Sequence, residues 1–207
     1  MKRAGLIIML SLAPVAAGAQ SATEKFVVPP YPGATRWTPH IVAQSTPQLA
    51  WVEWWPEDQP ENDIKDLLTT QIMKGAKVKP ATFLAALFAR IANSCTGATA
   101  NGPKEQTEYG FPVAYGQLYC TGQKGAGKDV DVFFKVIGGN DALYVIQRDF
   151  RRPAEPGAQP GTRHFPGNQM AEAKADMDAK EAASRYLGQV RLCPSDQPCE
   201  PDPVPKP

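Results

Sequence analysis

VDVFFKVIGGNDALYVIQRDF, residues 130–150, holds two β-branched and aromatic runs joined by Gly139, Asn140 and Asp141. Such runs favour extended backbone and a short Gly/Asn/Asp connection favours a tight reversal, so the stretch predicts an antiparallel hairpin. In its second run Leu143, Val145 and Gln147 share one face while Tyr144, Ile146 and Arg148 share the other, which predicts a half-solvated strand. The fold is therefore expected to be organised around an antiparallel sheet.

Outward from the hairpin, residues 110–121 supply a further strand, and TGATANGPKEQTE (96–108) reads as a soft connection. Toward the N-terminus, Pro80 starts a helix whose Phe83, Leu84, Leu87, Phe88 and Ile91 form an apolar stripe. Before it, Asn62 can cap another helix, with Ile64, Leu67, Leu68 and Ile72 at helical spacing and Gly75 at its end. WTPHIVAQ (37–44) and LAWVEWW (49–55) read as two strands joined by STPQ, and Pro39 puts the first at a sheet edge. Residues 37–152 thus form the core domain behind an extended lead-in, 20–36. A Pro/Gly linker (153–167) follows, then an Ala-rich helix (168–190) with Met170, Ala173, Met177 and Leu187 as a thin apolar stripe, then a Cys/Pro-rich tail (191–207) whose end, PSDQPCEPDPVPKP (194–207), has no expected secondary structure.

The order ββααβββα defines an α+β fold: an antiparallel sheet of about five strands against two or three helices, with flexible Pro-rich termini. This layout, over about residues 37–190, resembles small exported α+β proteins of Gram-negative bacteria, some built like the PsbP-type sandwich of an antiparallel sheet with helices. The resemblance implies a fold and carries over no functional residue.

The chain opens MKRAGLIIMLSLAPVAAGAQ, with Lys2 and Arg3 before an apolar run and Ala17-Gly18-Ala19 as a small-x-small cleavage site. Residues 1–19 are therefore expected to be a signal peptide cleaved after Ala19, leaving a periplasmic or secreted chain. The apolar run is too short to span a bilayer, so no transmembrane segment is expected in the mature chain. Two of the 22 basic residues lie in this leader, so 20 remain against 21 acidic ones and the net charge is about −1. Without a basic block there is no electrostatic footprint for nucleic acid.

Cys95, Cys120, Cys193 and Cys199 read as two disulfides in an oxidising compartment. Three pairings exist; 95 with 120 and 193 with 199 is favoured, because the first staples helix to sheet and the second closes a small proline-stiffened ring. No CxxC pair occurs, and the cysteine spacings with only His40 and His164 do not make a metal site. No cofactor is expected.

GQKGAGKD (122–129) fits a phosphate loop except that Asp129 replaces the Ser or Thr. A strand, not a helix, is expected after it, so it reads as a glycine-rich hairpin loop. GxSxG, HExxH, EF-hand and dinucleotide patterns are absent, and no catalytic residue is assigned. Paired carboxylates remain, Glu53 with Glu57 and Asp129 with Asp131.

AWVEWWPEDQ (50–59) carries three tryptophans in five positions. On a strand, Trp51, Glu53 and Trp55 would face one way and Trp54 the other, so these four residues make a candidate binding surface with one tryptophan face in the core. The expected function is that of an exported, non-enzymatic binding or accessory protein of the bacterial cell envelope, with an envelope protein or glycan as partner. A disulfide-rigidified inhibitor or immunity-type protein, or a carboxylate-based hydrolase, is the alternative.

Overall fold

The structure, a computed structural model, describes residues 24–31, 35–42, 44–154 and 170–199; the expected signal peptide, most of the 153–167 linker and the tail beyond Cys199 lie outside them. In chain order the described residues form β1 (Glu24–Val27), β2 (Trp37–Ile41), β3 (Leu49–Pro56), β4 (Asp66–Lys74), α1 (Pro80–Ala92), β5 (Gly97–Glu108), β6 (Phe111–Gln123), β7 (Lys128–Gly138), β8 (Ala142–Pro153), α2 (Met170–Gln189) and β9 (Arg191–Pro194). Seven strands make one sheet, in the order β2-β3-β4-β8-β7-β6-β5, with every neighbouring pair antiparallel. β1 and β9 form a separate antiparallel ribbon.

The β7–β8 hairpin pairs Val136 with Val145 and Ile137 with Tyr144. Its turn is tied to β1, because the Glu24 carboxylate accepts hydrogen bonds from the Asn140 N–H (2.6 Å), the Asp141 N–H (3.4 Å) and the Tyr144 hydroxyl (2.8 Å). Backbone donors left over by the tight turn are thereby satisfied from the lead-in.

A helix covers each face of the sheet. On one face, Leu84, Leu87 and Phe88 of α1 pack on Leu118, Val132, Phe134, Leu143 and Val145. Gly116 of β6 lets α1 approach closely, since a Cβ there would lie 2.5 Å from Cζ of Phe88. On the other, Ala183, Tyr186 and Leu187 of α2 pack on Val113, Phe133, Ile137, Tyr144 and Ile146. Polar groups complete this second contact: Lys180 pairs with buried Asp131, and Arg152 donates to Asp176 at 2.9 Å. Met170 and Met177, expected in the helix's apolar stripe, are instead exposed.

The α+β class holds, but several elements differ from the sequence expectation. The sheet has seven strands rather than about five, and the described residues contain two helices. The segment expected as a helix from Asn62 to Gly75 contains β4 after a single 3-10 turn, Glu61–Asp63. Leu67, Leu68, Thr69 and Thr70 are all buried, because β4 lies between β3 and β8. A strand covered on both sides loses its polar alternation, and its apolar residues then mimic helical spacing.

For the same reason β8 is not half solvated: Ala142 to Ile146 are buried on both faces. The soft connection 96–108 is β5, an edge strand whose residues are mostly exposed and which is held by backbone pairing to β6. Disulfides join Cys95 to Cys120 and Cys193 to Cys199, with Cα atoms 5.5 Å and 5.7 Å apart.

Candidate functional site

Strand β3 presents its aromatic residues to two different surfaces. Glu53 lies opposite Thr69 on one side and His40 on the other, and Trp51 opposite Gln71, so Trp51, Glu53 and Trp55 share the face on which α1 packs. Trp54 lies opposite Leu68 and Pro39 and points to the α2 face. The four candidate residues therefore do not form a single surface.

On the α1 face the helix sits over β5, β6 and β7, leaving β3 beyond its reach. Trp55 is buried, and its ring stacks on that of His40 at 3.5 Å between centroids and 6° between planes. Trp51 is half-buried. Burial pushes the half-buried Glu53 carboxyl above its ordinary 4.5, with the Arg151 guanidinium opposing the shift.

The α2 face holds a concave site. A cleft of about 550 Å³ opens between the lead-in and the sheet, walled by Pro29, Pro30, Tyr31, Trp37, Trp54 and Tyr186, with Leu68 among its lining residues and Arg36 its charged one. Tyr31 packs on Trp37 (4.4 Å between centroids) and on Tyr186 (4.7 Å), and the Tyr186 hydroxyl donates to the Pro29 carbonyl at 2.9 Å.

Beneath these rings stands Arg148 of β8, 1% exposed. Its guanidinium carbon lies 4.2 Å from the Tyr31 ring centre, 4.3 Å from that of Trp37 and 5.0 Å from that of Phe150. One of its amino groups pairs with Asp66. Among the described residues its Nε and Nη1 donors have no hydrogen-bond partner, and they sit among the ring faces, where a planar, weakly hydrated cation is best accommodated. Burial raises the pKa of both Tyr31 and Asp66, and Arg148 opposes the rise in each. The walls are thus held by a charge and by one another before any ligand arrives, which lowers the ordering cost of binding.

The remaining chemical candidates are structurally occupied. Residues 122–129 span the β6–β7 turn, where Gly122, Gly125 and Gly127 have positive φ, the Gly122 N–H donates to Asp129 at 2.8 Å and Lys128 pairs with Asp63 at 3.0 Å. Asp131 accepts from Gln117 and pairs with Lys180, while Glu57 accepts from Thr38 and pairs with Arg36. The cleft itself draws on Tyr31, Trp37, Arg148 and Tyr186, which the tryptophan-centred reading did not include. An arginine on the apolar face of a central strand was the one local sign in the sequence.

No protein-family model matches the chain, and no curated protein sequence matches it. Solved structures similar to it include LpqN, involved in cell envelope biogenesis of Mycobacterium tuberculosis, at 14% identity over 83% of this chain and 91% of that one, TM-score 0.40. Cyanobacterial PsbP (CyanoP) from Synechocystis has 14% identity over 83% of this chain and 97% of that one, TM-score 0.40. PA94 from Pseudomonas aeruginosa has 10% identity over 70% of this chain and 94% of that one, TM-score 0.32.

Proposed function

We propose that this chain is an exported, non-enzymatic binding or accessory protein of the bacterial envelope, and that it takes its ligand in the cleft between the lead-in and the α2 face. The observation that carries the reading is the set of four rings, Tyr31, Trp37, Trp54 and Tyr186, lining one concave site over a buried arginine. Aromatic walls with a few polar groups are the usual composition of a binding site, and rigid rings bind at low entropic cost. A hydrolase is less well supported, since Asp129, Asp131 and Glu57 are each engaged by structural partners. Two disulfides fit an oxidising location, and no helix among the described residues is long and apolar enough to cross a membrane.

Immobilised mature chain exposed to envelope extract tests the proposal. Wild type and Trp51→Ala should capture the same component and Trp54→Ala should not, at matched folding by circular dichroism. Loss of capture with Trp51→Ala alone would move the site to the opposite face. N-terminal sequencing of the exported protein should begin at Gln20.

A further inference from the structure

The unmatched polar atoms around the cleft narrow its ligand, and the inference that follows rests on the cleft being a binding site. Trp54 of β3, Leu68 of β4 and Arg148 of β8 are successive cross-strand partners, so their side chains make one row across the α2 face of the sheet. Trp54 and Leu68 line the cleft, and Arg148 ends the row beneath Tyr31 and Trp37. Asp66, two residues before Leu68 on the same strand face, holds one amino group of Arg148.

Four buried polar atoms here have no hydrogen-bond partner among the described residues: the Trp54 indole N–H, the Nε and Nη1 donors of Arg148, and Oδ1 of Asp66. Buried donors and acceptors are nearly always matched, so a cluster of unmatched ones beside a cavity marks a place where a ligand supplies the partners. Donors outnumber acceptors, yet Arg148 and Asp66 together are a neutral pair, so the complementary group is uncharged and mainly an acceptor. An amide meets both conditions. Its carbonyl oxygen accepts from the Arg148 guanidinium while its N–H donates to Asp66.

The cleft walls decide what carries the amide. Pro29 and Pro30 bring no N–H, so an extended peptide finds no backbone ladder along them. Trp37 and Trp54 offer ring faces instead, on which the C–H face of a pyranose stacks, and the Trp54 indole N–H donates to a sugar hydroxyl. We propose that the cleft binds an N-acetylated pyranose of an envelope glycan, with the acetamido group between Arg148 and Asp66 and the sugar ring on Trp37 and Trp54. The four polar atoms are shielded from solvent, and the Tyr31 ring is part of the shield over Arg148. Tyr31 belongs to the lead-in, whose β1 pairs with β9 and not with the seven-stranded sheet, so the acetamido group enters as that ring turns aside.

Nuclear magnetic resonance titration of the isotope-labelled chain tests this. The probes are N,N′,N″-triacetylchitotriose, cellotriose, which has the same linkage without acetamido groups, and N-acetyl-trialanine amide. Triacetylchitotriose should shift the Trp37 and Trp54 indole signals and bind about tenfold tighter than either other probe, the margin that a hydrogen bond to a charged group supplies. Arg148→Met with Asp66→Asn, matched for folding by circular dichroism, should erase that margin and leave weak, equal binding of the two sugars. Equal binding of the two sugars by the unaltered chain would overturn acetamido recognition, whatever the double variant does, and leave the cleft as a binding site. Peptide binding as tight as that of triacetylchitotriose would overturn the glycan. Shifts confined to the Trp51 indole would overturn this inference and the cleft reading together. Indoles unmoved by every probe would overturn the glycan inference alone, since the cleft reading is decided by the capture experiment with Trp54→Ala.

Discussion

Arg148 stacks its guanidinium 4.2 Å from the ring centre of Tyr31, joining the middle of the sheet to the lead-in that precedes it. The same cation faces Trp37 and is paired with Asp66 of β4. One buried side chain thus sets the orientation of two rings of the cleft. It also opposes the rise that burial gives the pKa of the Asp66 carboxyl.

Arg148→Ala should cost about 3–5 kcal/mol, because it leaves Asp66 partly buried without its cation. Urea denaturation measures the loss. Arg148→Met combined with Asp66→Asn should recover most of it, since replacing both partners removes the unpaired charge. A double variant as unstable as the single one would show that the ring contacts, not the ion pair, dominate.

The tryptophans of β3 should separate by role. Trp55, 8% exposed, is core, and Trp55→Ala should cost about 3–5 kcal/mol. Trp54 is only half-buried, so Trp54→Ala should lower the melting temperature less while abolishing capture of the cleft's ligand. Equal thermal losses for the two variants would contradict this division.

Gly116→Val should destabilise by about 1–3 kcal/mol through overpacking, because its side chain would enter the space held by the Phe88 ring. Phe88→Leu in the same chain should restore part of the loss by vacating that space. Chemical denaturation of the three variants checks the coupling between α1 and β6.

Glu53 should titrate above its ordinary 4.5, because burial disfavours its charged form. A carboxyl whose folded pKa is raised binds more protons folded than unfolded, so its contribution is present at low pH and is lost as pH rises through that window. Glu53→Gln should therefore raise the melting temperature near neutral pH and change it little below about pH 4. Equal effects at both pH values would rule out this burial cost.

Local chemistry made much of the architecture legible. The Gly139-Asn140-Asp141 reversal, the stripe from Phe83 to Ile91 and the edge position of Pro39 all act over a few residues, and the structure has β7–β8, α1 and β2 where they point. The alternation along β3 likewise placed Trp54 opposite to Trp51 and Trp55, as the register shows. What failed was set by neighbours distant in sequence: β4 reads as a helix until β3 and β8 cover it, and β5 reads as a loop until β6 pairs with it.

The cleft belongs to that second kind. Sequence by itself determined which strands turn, which helix face is apolar and that the tryptophans of β3 must divide between two faces, because those follow from side-chain period and backbone stereochemistry. Only the tertiary structure decided which of those faces is concave. Tyr31 comes from the lead-in, Trp37 from β2, Trp54 from β3, Arg148 from β8 and Tyr186 from α2, and they meet where the β1–β9 ribbon anchors the lead-in beside α2. Their proximity is a consequence of sheet order and of burying a guanidinium among rings, neither of which leaves a periodic trace in the chain.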